Sequence, residues 1–153
     1  VKLKVIWVGK TQEEWMRAGI EEYSQRIRRY MPLELSEVKE ERGGDSDRGR
    51  AAESARMKKL LPKNAFLVLC DERGEELTSP QFATFVNAER DRGVGEMVFA
   101  VGGAYGFSDD FRSLAQRTVA LSRMTFTHQM VRLFLLEQIY RAFTIINNEP
   151  YHH

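Results

Sequence analysis

Apolar residues recur along this chain in two alternating rhythms, one of period two and one close to 3.6. Leu3, Val5, Ile6, Trp7 and Val8 form a short β-rich run closed by Gly9, which predicts a mostly buried first strand. From Glu13 to Tyr30, Met16, Ile20, Tyr23, Ile27 and Tyr30 fall at alternating spacings of four and three, the pattern of an amphipathic helix that Pro32 ends. Leu33, Leu35 and Val38 predict a second strand. Lys39 to Gly49 holds charge and three glycines without an apolar partner, so a mobile loop is expected there. Ala51, Ala52, Ala55, Leu60 and Leu61 mark a second helix that stops before Pro62. AFLVLC, residues 65–70, is a continuous apolar run of the kind found in interior parallel strands, and Asp71 to Gly74 is expected to turn the chain out of it.

Ser79 followed by Pro80 predicts a helix start, with a capping hydroxyl and a ring suited to the first helical position; Phe82, Phe85 and Val86 would face inward. Gly93 and Gly95 end that helix. Met97 to Val101 is another buried strand, running directly into Gly102-Gly103-Ala104-Tyr105-Gly106. Ser108, with Asp109 and Asp110 behind it, caps the next helix, and Thr118 to Leu121 is the last short strand. A polar bend then leads into a helix reaching Phe143, whose apolar Met130, Val131, Leu133, Phe134, Leu135, Ile139 and Phe143 cover well over half its circumference. Strands alternating with helices predict an α/β protein with a mostly parallel sheet and helices on both faces. With no internal repeat and no long linker, residues 1–153 are expected to form a single domain.

Composition narrows the picture without redirecting it. A hydrophobic content of 42% and a charged content of 29% over 153 residues are those of a globular chain able to bury roughly 70% of its unfolded surface. The formal net charge of +1 gives no electrostatic case for DNA binding and leaves RNA open. A single cysteine, Cys70, excludes an internal disulfide and a cysteine-rich metal site and fits a reducing compartment. VKLKVIWVG is too short an apolar run for a signal peptide or a membrane span, and no later run reaches the roughly 20 residues a span needs, so a cytoplasmic location away from membranes is expected.

In an open parallel sheet, ligands bind beyond the carboxyl ends of the strands. Three stretches end there: Leu69-Cys70-Asp71, Gly102 to Gly106, and Leu121 to Phe126. Paired glycines let backbone approach a flat ligand closely. The spacing GGxxG matches neither the dinucleotide fingerprint nor a phosphate-binding loop, so taken alone it is open between a ligand cradle and a tight turn into a helix.

The glycine loop and the segments C-terminal to it occur together in order. AVGGAYG, ALSRMTFTHQMVRLFLLEQIYRAF and the terminal NNEPYHH, with KLKVIWVGK and EYSQRI upstream, closely resemble the SPOUT-class methyltransferases, and among them the small bacterial enzymes that methylate N3 of a pseudouridine in 23S rRNA. The resemblance spans essentially the whole chain. It implies a C-terminal part threaded into a trefoil knot (the α/β knot), an exception to the rule against knotted chains. It also implies a homodimer, S-adenosylmethionine as cofactor, and 23S rRNA within the ribosome as substrate. The implied cofactor contacts are Cys70, Gly102, Gly103, Leu121, Ser122, Arg123, Met124, Thr125 and Phe126. Two departures from the family pattern stand out: Cys70 occupies a position often aliphatic, and the tail reads Tyr151-His152-His153 where the family usually follows Tyr-His with Arg or Lys.

Methyl transfer to the imide N3 requires loss of its proton and stabilisation of a developing anion on the base. Arg132 is the candidate cation for that anion or for an RNA phosphate, with a surface salt bridge as the alternative. His128, one turn earlier on the same face, is a candidate to orient substrate or relay the proton; a local structural hydrogen bond is the alternative. Tyr151, His152 and His153 are suited to stacking on an unpaired base and fold over cofactor or RNA in this reading, as opposed to fraying. Tyr105 either helps hold the base or covers the core edge. No metal-ligand spacing is present, and methyl transfer needs no metal. The readings in other classes are a non-catalytic cofactor- or nucleotide-binding regulator and a purely structural dimer module.

Overall fold

Alternation along the strands decides which helix packs on which side. The computed structural model describes residues 2–43 and 45–153. Strands β1 (Lys2–Val8), β2 (Leu33–Val38), β3 (Phe66–Glu76), β4 (Glu96–Val101) and β5 (Arg117–Ala120) form one sheet in the order β2-β1-β4-β3-β5, and every neighbouring pair is parallel. Leu3, Val5 and Trp7 of β1 point to one face with Val68, Cys70, Phe99 and Val101. Ile6 and Val8 point to the other with Leu67, Leu69, Val98 and Ala100. The period of two thus builds two cores from one sheet. Helices α1 (Glu14–Arg28), α3 (Ser79–Asp91) and α5 (His128–Ile146) cover the first face; α2 (Ser46–Lys59) and the single turn α4 (Asp109–Arg112) cover the second. The expected mostly parallel α/β sheet with helices on both faces is the observed one.

Helix α5 lies between α1 and α3. Its Leu135, Leu136, Ile139, Ala142 and Phe143 are fully buried, which accounts for the wide apolar arc in its sequence. The Thr127 hydroxyl accepts the N–H of Met130 and fixes where α5 begins.

Three local expectations differ from the structure. β3 does not turn out at Asp71–Gly74 but continues to Glu76, its pairing with β5 shifting register between Cys70 and Glu75. The extension is polar because it is an edge ribbon without a core to cover; it is tied down by the Arg117–Glu75 and Arg123–Glu76 ion pairs. Gly74 allows the close approach, since a Cβ there would lie 2.7 Å from the backbone of Thr118 and Val119. The stretch expected to be a mobile loop ends early: α2 starts at Ser46, capped by the Asp45 carboxylate, which accepts the N–H groups of Asp47 and Arg48. Gly44 of that stretch lies outside the described residues. The cap of α3 is Thr78, in a reciprocal capping box with Gln81, so Ser79 is already helical and Pro80 follows it.

Candidate active site

The carboxyl ends of β1, β3, β4 and β5 open on a cleft of about 820 Å³. Cys70 and Asp71, the whole loop Gly102 to Gly106, and Leu121, Ser122, Met124, Thr125 and Phe126 all line it. The three stretches singled out by the sheet rule therefore do meet. Gln12, Glu13, Trp15 and Met16 form a further wall that the sequence did not point to. The same rule applied to the loop after β1 would have found it, since Gly9 to Gln12 also lies beyond a strand's carboxyl end.

The glycine loop supplies a floor made mostly of backbone. Gly103 and Gly106 form an isolated antiparallel bridge, the N–H of Gly106 donates to the Gly103 carbonyl at 3.1 Å, and Gly106 has φ +78°. A Cβ on Gly102 would sit 3.2 Å from the Gly106 Cα and 3.4 Å from the Phe107 ring. The loop thus folds tightly back on itself, and all five of its residues line the cleft.

Cys70 is buried, and burial, then the neighbouring Asp71 charge, pushes its thiol up to about 12, so it stays a neutral thiol and no nucleophile. Asp71 is the opposite case. Burial acts to raise its pKa, but the Arg73 N–H and the Arg112 guanidinium, 2.7 Å away, outweigh it and hold the carboxyl below its usual range. The bend of residues 121–126 is held by the Met124 N–H to Ser122 Oγ, by the Thr125 hydroxyl to Glu72, and by Phe126 against Phe134 with centroids 4.8 Å apart. The Arg123 side chain does not line the cleft but turns outward to Glu76 on the extension of β3, leaving its backbone in the bend.

His128 lines the cleft at the first residue of α5. Burial, and secondarily the positive charge of Arg132, lower its pKa below 6.5, so the imidazole is neutral at pH 7. Arg132, one turn on, is not on an exposed face with it and makes no salt bridge among the described residues: it is fully buried. Its guanidinium donates to the carbonyls of Val8 and Gly9 and to Thr11 Oγ1. The guanidinium thereby supplies donors to backbone carbonyls at the end of β1. Tyr105 borders the cleft, yet its hydroxyl donates to the Gly43 carbonyl at 2.9 Å and its ring covers Gly49 of α2, which makes it a strut of the loop.

The tail is ordered against α1 and α5. The Tyr151 ring meets Tyr140 edge-on at 4.7 Å, its hydroxyl donates to Glu137 at 3.1 Å, and His152 Nδ1 lies 3.1 Å from the Arg141 guanidinium. His153 is exposed. Burial and the Tyr23 and Glu137 contacts push the Tyr151 phenol well above its usual range, so it is protonated at any physiological pH. Tyr140 is about 18 Å along α5 from His128 at ~1.5 Å per residue. Tyr151 and His152 do not line the cleft of their own chain.

A parallel sheet whose strand ends enclose a glycine-floored cleft is the architecture of α/β proteins that bind nucleotide-type cofactors. The chain belongs to the SPOUT methyltransferase family: the family model described as "Predicted SPOUT methyltransferase" matches residues 1–152. The chain is similar, at 67% identity over 153 residues covering all of both chains, to the protein named "Ribosomal RNA large subunit methyltransferase H" of Geotalea uraniireducens. It is 64% identical to the protein of the same name of Geobacter metallireducens, over the whole of this chain and 99% of that one. Among solved structures, a probable methylase family protein from Haemophilus influenzae superposes with a TM-score of 0.57 at 10% identity, covering 99% of this chain and 70% of that one, which is a likeness of fold. Membership of the family implies the C-terminal trefoil knot.

Proposed function

We propose that this protein transfers a methyl group from S-adenosylmethionine to N3 of a pseudouridine in 23S rRNA of the assembled ribosome, in the cytoplasm and as a homodimer. The observation that carries the reading is the convergence of Cys70, the Gly102–Gly106 loop and the Leu121–Phe126 bend on one cleft, in a chain of a methyltransferase family. The names of its full-length relatives support large-subunit rRNA as the substrate. The residues present fit the cofactor. The floor is glycine backbone where side chains would intrude, the walls at Leu121, Met124 and Phe126 are apolar, and the cleft is within the size range of small-molecule sites.

When bound, S-adenosylmethionine supplies the electrophilic methyl group. The chain's own part is chiefly positioning. Backbone at Cys70, Gly102 and the bend receives the cofactor, while Gln12 to Met16 and His128 border the side left for the base. Because His128 is neutral at pH 7, a ring nitrogen can accept the N3 proton. Exposed Trp15, Met124 and Phe134 near the cleft mouth are the apolar surface suited to a second copy of the chain.

Mass spectrometry of 23S rRNA, after incubation of unmethylated ribosomes with the protein and S-adenosylmethionine, tests the reading. New N3-methylpseudouridine is expected; its absence removes the assignment. Calorimetric binding of S-adenosylmethionine with no transfer to ribosomes would favour the regulator instead.

A further inference from the structure

Glu53 lies midway along α2, on the face turned to the sheet, and is 2% exposed. Its Oε2 accepts the Glu41 N–H at 2.9 Å, whereas Oε1, also buried, has no hydrogen-bond partner among the described residues. A Cβ placed on Gly103 would come within 3.0 Å of that Oε1 and within 3.1 Å of Val8. The space on that side of Gly103 is therefore taken by Glu53 Oε1 and Val8. Three more contacts come from the same helix: Gly49 lies under the Tyr105 ring, the Arg50 guanidinium donates to the Tyr105 carbonyl at 2.8 Å, and Ser54 Oγ accepts the Ser108 N–H at 2.9 Å.

A loop of glycines has no side chains with which to fix its own shape, so the shape must be imposed from outside. Here it is imposed from below by α2. We propose that Glu53 is a positioning residue for methyl transfer, its buried carboxyl braced against the Cα of Gly103 so that the glycine loop is held in the shape that receives the cofactor. The inference rests on the cleft being the cofactor site. It also explains Gly103 as a glycine: the space for a side chain is taken by Glu53 and Val8. Burial pushes the Glu53 carboxyl up, with the charges of Glu40 and Glu41 adding to it and the Glu41 N–H and the Arg56 charge opposing, consistent with an acid held mainly by packing.

The test is a double-mutant cycle read by calorimetric titration with S-adenosylmethionine and by steady-state methylation of unmethylated ribosomes. Glu53→Asp withdraws the carboxyl by one methylene while keeping its chemistry. It is expected to weaken cofactor binding about fivefold and to raise the cofactor KM in step, with kcat and the KM for ribosomes within about twofold of wild type. Gly103→Ala is expected to weaken cofactor binding more than about tenfold in the wild-type background. In the Glu53→Asp background its cost should be at least about threefold smaller, because the two residues act through one contact. Should Glu53→Asp lower the melting temperature of the free protein, the isosteric Glu53→Gln carries the same comparison, with an amide in place of the oxygen facing Gly103. Wild-type cofactor affinity in these variants, or equal costs of Gly103→Ala in both backgrounds, overturns the proposal alone. A wild-type protein that binds no S-adenosylmethionine removes the reading of the cleft, and this inference with it.

Discussion

The Arg132 guanidinium stands 5.2 Å from the centre of the Trp7 ring, enclosed with it on the α1/α3/α5 side of the sheet and without a carboxylate in ion-pair contact among the described residues. Burial lowers its pKa to about 10, opposed by the charges of Glu37 and Glu40, so it remains a cation at neutral pH. A desolvated cation is tolerated there because three oxygens at the end of β1 accept from it and an aromatic face lies beside it. The arrangement fastens the β1–α1 loop to α5. Gln129 adds to it, accepting the Gln12 N–H at 3.2 Å and donating to the Lys10 carbonyl at 3.0 Å.

Removing Arg132 should therefore be read first in stability. In Arg132→Met the side-chain volume is largely kept, but the Val8 and Gly9 carbonyls and the Thr11 hydroxyl lose their buried donor. A loss of about 2–4 kcal/mol is expected, near the middle of the range for stranding several buried polar groups. Chemical denaturation measures it. Since Gln12 to Met16 form a wall of the cleft, cofactor affinity should fall together with stability. A variant of wild-type stability that lost only turnover would return Arg132 to the reaction itself.

Arg132 also shows where sequence reading runs out. Helical spacing correctly put His128 and Arg132 one turn apart, and the cap at Ser108 and the strand-helix alternation came from local chemistry. Direction was not legible. Whether an arginine points to water or reaches under a loop depends on carbonyls left over at the end of β1, more than a hundred residues away. The same holds for Glu76 drawing off Arg123 and for α2 bracing the glycine loop. The polar extension of β3 carries no apolar alternation because it covers no core, so it looks like a turn. The cleft itself was legible because the rule that places it depends only on strand order and polarity.

Gly49 sets two effects of opposite sign against each other. In a helix interior, Gly→Ala ordinarily adds about 1 kcal/mol of stability. At this site an added Cβ would lie 2.6 Å from the Tyr105 ring, and overpacking of that kind costs about 1–3 kcal/mol. The steric effect should win. Gly49→Ala is expected to lower the melting temperature by a few degrees and to weaken S-adenosylmethionine binding, because the displaced Tyr105 pulls on the glycine loop. A more stable protein with unchanged cofactor affinity would mean that Tyr105 swings away freely.

His128 gives a pH dependence of definite sign. Its pKa is lowered below 6.5 in the folded chain, so between the folded value and 6.5 the unfolded chain holds more protons. The contribution to stability is present above 6.5 and lost as the pH falls through the folded value. Methylation should track the same group: a rate independent of this proton at pH 7 to 8, with an acid limb only below 6.5. His128→Gln should lower turnover about 10²-fold, leave cofactor affinity within about twofold and remove the acid limb. An acid limb that survives the substitution would assign the titration to another group.

The position of Tyr151 predicts how two copies share the work. The tail is docked at Glu137, Tyr140 and Arg141, about 18 Å along α5 from His128 at ~1.5 Å per residue, so in its own chain it is remote from the cleft. If the tail serves catalysis, it serves the cleft of a partner. A chain ending at Pro150 and the variant His128→Gln should each be nearly inactive as homodimers. Co-expressed, they form mixed dimers in which the intact cleft of the shortened chain meets the intact tail of the other. With random pairing about half the dimers are mixed and one of their two sites is complete, so about a quarter of wild-type activity should return. Activity no greater than the sum of the two parents would confine the tail to holding α1 on α5.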